Sequence, residues 1–165
     1  METLVIDSRM HSLIILYDMH TKFFFSALEG ISDEDANNRL NTKANHIAWL
    51  TGSLVQQRFE LAQAFSIDKK QAANDLFSDN KGIQDEIIYP SLSKFKVDWE
   101  NITPPLRNAL HDSSTEKLNS TFEMMPGMSM TYFDLITFII YREANCIGQI
   151  ALWRRLLGYE GMKYM

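Results

Sequence analysis

The segment Met130-Thr-Tyr-Phe-Asp-Leu-Ile-Thr-Phe-Ile-Ile-Tyr-Arg-Glu-Ala-Asn-Cys-Ile-Gly-Gln-Ile-Ala-Leu-Trp-Arg-Arg-Leu-Leu157, followed by Gly158, decides the fold. It reads as one long helix. Ser129 or Thr131 can cap its start, because a side-chain oxygen there accepts an otherwise orphaned backbone N–H. Gly158 can take the left-handed conformation that closes the other end, and Arg154 and Arg155 suit the negative end of the helix dipole. At helical spacing Leu135, Ile139, Arg142, Cys146, Gln149, Trp153 and Leu156 form one stripe, and Phe133, Ile140, Ala144, Ile147 and Ala151 form a second. A helix apolar on nearly all sides is expected to be buried. The first stripe carries Arg142, Cys146 and Gln149 where a plain core would carry leucine, so a functional site is expected along it.

Outward from this helix, the chain of 165 residues is long enough for one domain with a real core, and we take residues 1–165 as a single domain. Lys and Arg number 16 against 21 Asp and Glu, a net charge of −5, and the basic residues are scattered. Nucleic-acid binding needs a clustered positive surface, so none is expected. No charge-free run approaches the ~20 residues of a membrane span. The start, Met1-Glu-Thr-Leu-Val-Ile-Asp7, lacks the basic and apolar regions of a signal peptide. The single cysteine excludes an internal disulfide and fits a reducing compartment. A cytoplasmic protein without membrane or nucleic-acid partners is the expectation.

Taken in order, Asp7 or Ser8 caps a first helix to about Leu28, with Met10, Leu13, Ile14, Tyr17, Thr21, Phe24 and Leu28 on its core stripe. Ser32 caps a short acidic turn. A second long helix is expected over 43–65, with Ile47, Leu50, Leu54, Leu61 and Phe65 inward and Trp49 and Ser53 on an adjoining line. Residues 66–89 show no sustained period and read as a long crossover. A third helix opens at Pro90-Ser91 with Leu92, Phe95 and Trp99 inward. Pro104-Pro105 should break or kink it before helix resumes through His111. Ser114 caps one more short turn, residues 121–128 read as irregular, and Pro126-Gly127 turns the chain into the last helix.

Four long amphipathic helices, no convincing strand and one long crossover predict an all-α four-helix bundle of up-down-down-up order, the crossover joining helices two and three. The extra apolar stripe of the last helix needs a second surface, and Gly148 would let one approach closely. A homodimer through this helix is one expectation, and burial by residues 66–89 the other.

The run Arg142-Glu-Ala-Asn-Cys-Ile-Gly-Gln-Ile-Ala-Leu-Trp-Arg-Arg-Leu-Leu-Gly158 resembles the last helix of DinB-like proteins. That helix reads roughly H-x-x-x-H-x-G-Q-I-x-x-x-R-R-x-x-G, and Gly148-Gln149-Ile150, Arg154-Arg155 and Gly158 match it. Asn45-His-Ile-Ala-Trp-Leu-Thr-Gly-Ser-Leu54 is similar to the family's second helix, where an apolar segment with Trp leads into G-H-L. The resemblance implies a four-helix bundle, frequently dimeric, that holds a divalent ion with three histidines. It also implies metal-dependent thiol transfer or hydrolysis as the activity of family members.

Those histidine positions fall here on Ser53, Arg142 and Cys146. Arginine is permanently cationic and has no lone pair to give, serine is a poor ligand, and one cysteine does not make a zinc site. The resemblance therefore implies a vacated metal site, with no cofactor expected. A shifted alignment offers His46 with Cys146 as an alternative pair for Ni or Zn, still with Arg142 in a ligand position. His11, His20 and His111 have no partner spacing that suggests a site.

The candidate cleft is then Trp49, Ser53, Arg142, Cys146 and Gln149. Arg142 either reaches a carboxylate such as Glu60 or receives the anionic group of a ligand. Cys146 is either a small buried apolar residue or, beside a cation, a thiol of lowered pKa. Gln149 and Trp153 either pack in the bundle or line a pocket floor. Small-molecule binding in this cleft is the expected role. Metal-dependent transfer or hydrolysis, and a dimer surface as the function, are the alternatives.

Overall fold

The computed structural model of the chain describes residues 6–165; the N-terminal residues read above for a leader lie outside them in part. The protein is mostly helical, with seven α-helices and one two-stranded sheet among the described residues. The long helices are α1 (Arg9–Leu28), α3 (Ile47–Ala64), α5 (Leu92–His111) and α7 (Tyr132–Leu156), and the short ones α2 (Asp33–Ala36), α4 (Asn74–Phe77) and α6 (Thr115–Asn119). Side-chain oxygens cap several starts, as their sequences predict: Thr131 accepts from the Asp134 N–H, Ser32 from Asp35 and Ser114 from Lys117. Gly158 closes α7 with a φ of 91°.

Each of α1 and α3 packs against both α5 and α7. The Trp153 indole N–H donates to the Asn45 carbonyl at 2.8 Å, while Arg58 meets Glu143, so α3 and α7 run antiparallel. Arg154 donates to the Ala27 and Glu29 carbonyls, and His20 meets Glu143, so α1 and α7 run parallel. The buried Arg154 thus satisfies the exposed carbonyl end of α1, a stronger use of its charge than its own helix dipole.

Three expectations change. The most enclosed helix is α3, whose residues are buried on almost every side; α7 keeps an exposed face of Phe138, Tyr141, Leu152 and Leu156. By length and composition α7 could cross a membrane, yet it carries Arg142, Glu143 and Arg154 and packs on α1 and α3. The second difference is that α5 runs unbroken through Pro104 and Pro105. The carbonyls these prolines leave without a helical donor belong to Glu100 and Asn101, which lie on the exposed side of α5. The third is a hairpin within the segment read as irregular: β1 (Thr121–Met125) pairs antiparallel with β2 (Met128–Thr131). Pro126 and Gly127, with φ of 81° at the glycine, make the turn, and Phe122 sits opposite Met130.

Residues 66–89 wrap α3 and α5 and reach the edge of α7 only at Asp79, Asn80 and Lys81, leaving the outer face of α7 exposed. The Gln71 amide donates to the Gly52 carbonyl at 3.2 Å and to Gln56 at 2.7 Å, and the Ala72 N–H donates to Asp98 at 2.8 Å. Phe77 lies directly on Gly52, where an added Cβ would fall 2.1 Å from the ring. This contact seats α4 on α3. Gly52→Ala should add about 1 kcal/mol of helix propensity yet lose about 1–3 kcal/mol net by displacing the ring. In a Phe77→Ala background the same change should stabilise. Urea midpoints of the four proteins test this, and a raised midpoint for Gly52→Ala alone would refute the close approach.

Candidate functional site

The polar centre of the molecule is a buried ion pair that the sequence reading missed. Arg58 of α3 and Glu143 of α7 are both fully buried. The guanidinium grips the carboxylate with two hydrogen bonds, Nε to Oε1 at 2.6 Å and Nη2 to Oε2 at 3.1 Å. Its other donors reach the Thr21 hydroxyl at 2.9 Å, the Thr103 hydroxyl at 2.7 Å and the Tyr17 carbonyl at 3.4 Å. All five N–H groups are thereby used. The rings of Tyr17 and Trp99 flank the guanidinium, at 3.8 and 3.5 Å from its carbon. His20 Nδ1 lies 3.1 Å from Glu143 Oε2. Burial pushes the Glu143 carboxyl up, but the Arg58 charge and the hydrogen bonds from His20 and Arg58 outweigh it and hold it below the ordinary 4.5.

A sequence signal existed. Arg58 stands four residues after Leu54, and Glu143 four after Ile139, so each charge interrupts an apolar line. Opposite charges breaking the apolar faces of two helices are candidates for mutual burial. All donors of the Arg58 guanidinium and both Glu143 oxygens are satisfied within the protein, which leaves the ion pair nothing to offer a ligand.

The candidate cleft lies on the flank of this centre. A cavity of about 140 Å³ between α3, α7 and the turn Ser78–Asn80 is lined by Trp49, Ser53, Gln57, Glu60, Lys81 and Arg142, among others. Three of the five residues expected to form the site are therefore together. Cys146 is buried beside Arg142 rather than in the cavity wall, and burial pushes its thiol up, with the Arg142 charge opposing only in part. This removes the lowered-pKa reading of Cys146. Gln149 points outward and donates to Asn145 at 2.6 Å, so it lines nothing.

Arg142 does not meet Glu60. Instead Gln57, with its amide oxygen turned to α7, accepts from Arg142 Nη1 at 3.0 Å and Nε at 3.2 Å. Among the described residues no carboxylate lies within ion-pair distance of Arg142. Lys81 adds a second cation to the wall, its Nζ donating to the Asp75 carbonyl at 2.7 Å. The indole N–H of Trp49 is buried without a partner among the described residues.

A divalent ion does not fit these groups. Among the described residues no three His, Cys, Asp or Glu side chains are gathered for one. At the positions carried over from the family stand a hydroxyl, a guanidinium and a buried thiol. His46 caps α3, its Nδ1 accepting from the Trp49 N–H at 3.1 Å, and packs edge-on against Tyr89. The antiparallel register puts it level with Trp153, away from Cys146. Burial holds its pKa below 6.5, which keeps that lone pair free to accept.

Arg58→Met and Glu143→Leu should each cost about 3–5 kcal/mol, because each strands a buried charge, and the double variant should cost far less than their sum. The pH dependence should reverse as well. Glu143 holds its proton more weakly folded than unfolded, so stability falls as pH drops below about 4.5, with the neutral His46 cap adding a loss below about 6.5. In Arg58→Met the carboxyl is buried without its cation, its pKa rises, and stability should increase as pH falls from 7 toward 5. Urea unfolding at several pH values measures both effects; additive costs or an unreversed slope would contradict the paired geometry.

No protein-family model matches this sequence, and no curated protein matches it.

Proposed function

We propose that this protein binds a small molecule carrying a carboxylate or phosphate, in the groove between α3 and α7, on a DinB-like four-helix bundle. The observation that carries the reading is Arg142: a guanidinium facing a cavity, held by an amide and without a counterion among the described residues. Its fork suits bidentate recognition of a planar or tetrahedral anion. Lys81 reinforces the positive end, and the Ser53 hydroxyl and the unpartnered Trp49 N–H supply neutral donors. The directions of α1, α3 and α7 given above support the up-down-down-up order, together with α5, which runs antiparallel to α1: the Tyr17 hydroxyl donates to the Thr103 carbonyl and the Trp99 indole to the Thr21 carbonyl. The role is one of binding rather than metal-dependent transfer or hydrolysis, since a guanidinium occupies the place where an ion would need a ligand.

The test is thermal unfolding of the full chain with inorganic phosphate and small carboxylates. Saturating ligand should raise Tm by a few degrees, about 2.7 kcal/mol at one hundred times Kd. Arg142→Ala should abolish that rise while changing the unliganded Tm little, and an equal rise in the variant would reject the site.

The outer face of α7 supports a second, compatible reading, a homodimer. Ile140 and Ile147, from the second stripe of the sequence analysis, are buried, so the unpaired face is Phe138, Tyr141, Leu152 and Leu156. Gly148 lies on this side with open space where a Cβ would stand. Exposed aromatic and aliphatic side chains at both ends of one helix face, with the polar Asn145 and Gln149 between them, suit an association surface with an apolar pair at each end. Sedimentation should give twice 19.1 kDa at micromolar concentration, shifting to monomer in Tyr141→Asp/Leu152→Asp. A monomer in the unaltered protein would dismiss the dimer.

A further inference from the structure

The groove continues beyond the cavity at Arg142. Glu60 and Asn80 line that cavity and also a second one of about 460 Å³, walled by Leu61, Phe122, Met124, Leu135 and Ile139. Along α7, Arg142, Ile139 and Leu135 are spaced by three and four residues and so share one flank. With 1.5 Å of rise per residue, Ile139 lies about 4.5 Å and Leu135 about 10 Å along the axis from Arg142. On the antiparallel α3, Ser53, Gln57, Glu60 and Leu61 pass the same levels in order. The two cavities therefore form one groove with a cationic end, an apolar end and a carboxylate at their junction.

That junction decides the ligand. Glu60 accepts one hydrogen bond, from the Gln56 amide at 3.0 Å, and makes no ion pair among the described residues. Arg142 and Glu60 thus face the same cleft without meeting. Asp79 adds a second carboxylate to the apolar cavity, which opposes a ligand that is anionic alone. Opposite charges held apart across a small cleft complement a molecule that bears both.

We propose that the groove takes an apolar α-amino acid. Its carboxylate lies on Arg142 with Lys81 nearby, its ammonium on Glu60, and its side chain against Ile139, Leu135 and Leu61. The proposal rests on the binding role given to Arg142 and narrows the class of ligand. Discrimination follows from the same groups. A carboxylate lacking the ammonium desolvates Glu60 without compensation, and glycine leaves the apolar wall wet.

Calorimetric titration of the full chain with leucine, methionine and phenylalanine tests this against glycine, leucinamide and 4-methylpentanoate, which is leucine without its amino group. The three apolar amino acids should bind, and each control should bind at least tenfold more weakly. Glu60 is exposed, so Glu60→Gln should fold normally and lose the preference for leucine over 4-methylpentanoate. If 4-methylpentanoate or phosphate binds as tightly as leucine, the amino-acid assignment is overturned while anion binding stands. If Arg142→Ala leaves leucine affinity unchanged, the assignment of its carboxylate is overturned. If no amino acid, carboxylate or phosphate binds, this proposal and the anion-binding reading fall together.

Discussion

The arginine-carboxylate pair at Arg58 and Glu143 is the constraint on which the arrangement of the long helices depends. A fully buried guanidinium is tolerable only when each donor has an acceptor and the charge has a partner. Here those acceptors come from different helices: Glu143 from α7, Thr21 and the Tyr17 carbonyl from α1, and Thr103 from α5. Sliding any one helix by a turn, about 5.4 Å, would strand part of this network. An apolar core of the same volume could be as stable, so the pair's particular contribution is registry, a discrete penalty on every other axial setting.

With that register fixed, the groove follows from what covers α3. Phe77 on Gly52 and Gln71 on Gln56 hold the crossover against the outer face of α3. The chain then passes through Asp79 and Asn80, with φ of 58° and 56°. These are left-handed conformations that Asp and Asn adopt more readily than most residues. The turn brings Asn80 and Lys81 over the gap between α3 and α7. The hairpin, whose Phe122 packs on Tyr132 at the start of α7, closes the apolar end. The groove is therefore the space left between a rigid core and two irregular segments attached to it.

Several helix ends were legible because capping chemistry is local: Thr131, Ser32, Ser114 and Gly158 act as their types and positions predict, whereas α3, expected from residue 43, begins at Ile47 with the His46 ring as its cap. The unbroken α5 was not, since whether Pro104-Pro105 interrupts a helix depends on which way Glu100 and Asn101 face. The hairpin was hidden because four- and five-residue strands carry too little alternation to read. Of the site, Trp49, Ser53 and Arg142 were legible from helix faces and from the resemblance. Gln149 shows the limit of such reasoning. It lies on nearly the same flank as Arg142, but seven residues, or about 10 Å, further along the helix. There no segment covers the flank, so its amide turns to Asn145.

Arg58 and Arg142 sit on facing helices near the same level, and their treatment differs. The first is sealed between two aromatic rings, with a carboxylate and three other acceptors shared over three helices. The second has one glutamine and a water-accessible cavity. Placing a cation at the edge of a groove costs little while water solvates it, whereas leucine there would fill the groove. Glu60 is similarly left without a cation in the same cleft. Two opposite charges that remain unpaired across so small a space are poor stabilisers of the folded chain. They are well placed to exchange water for a ligand whose own charges are spaced to meet them.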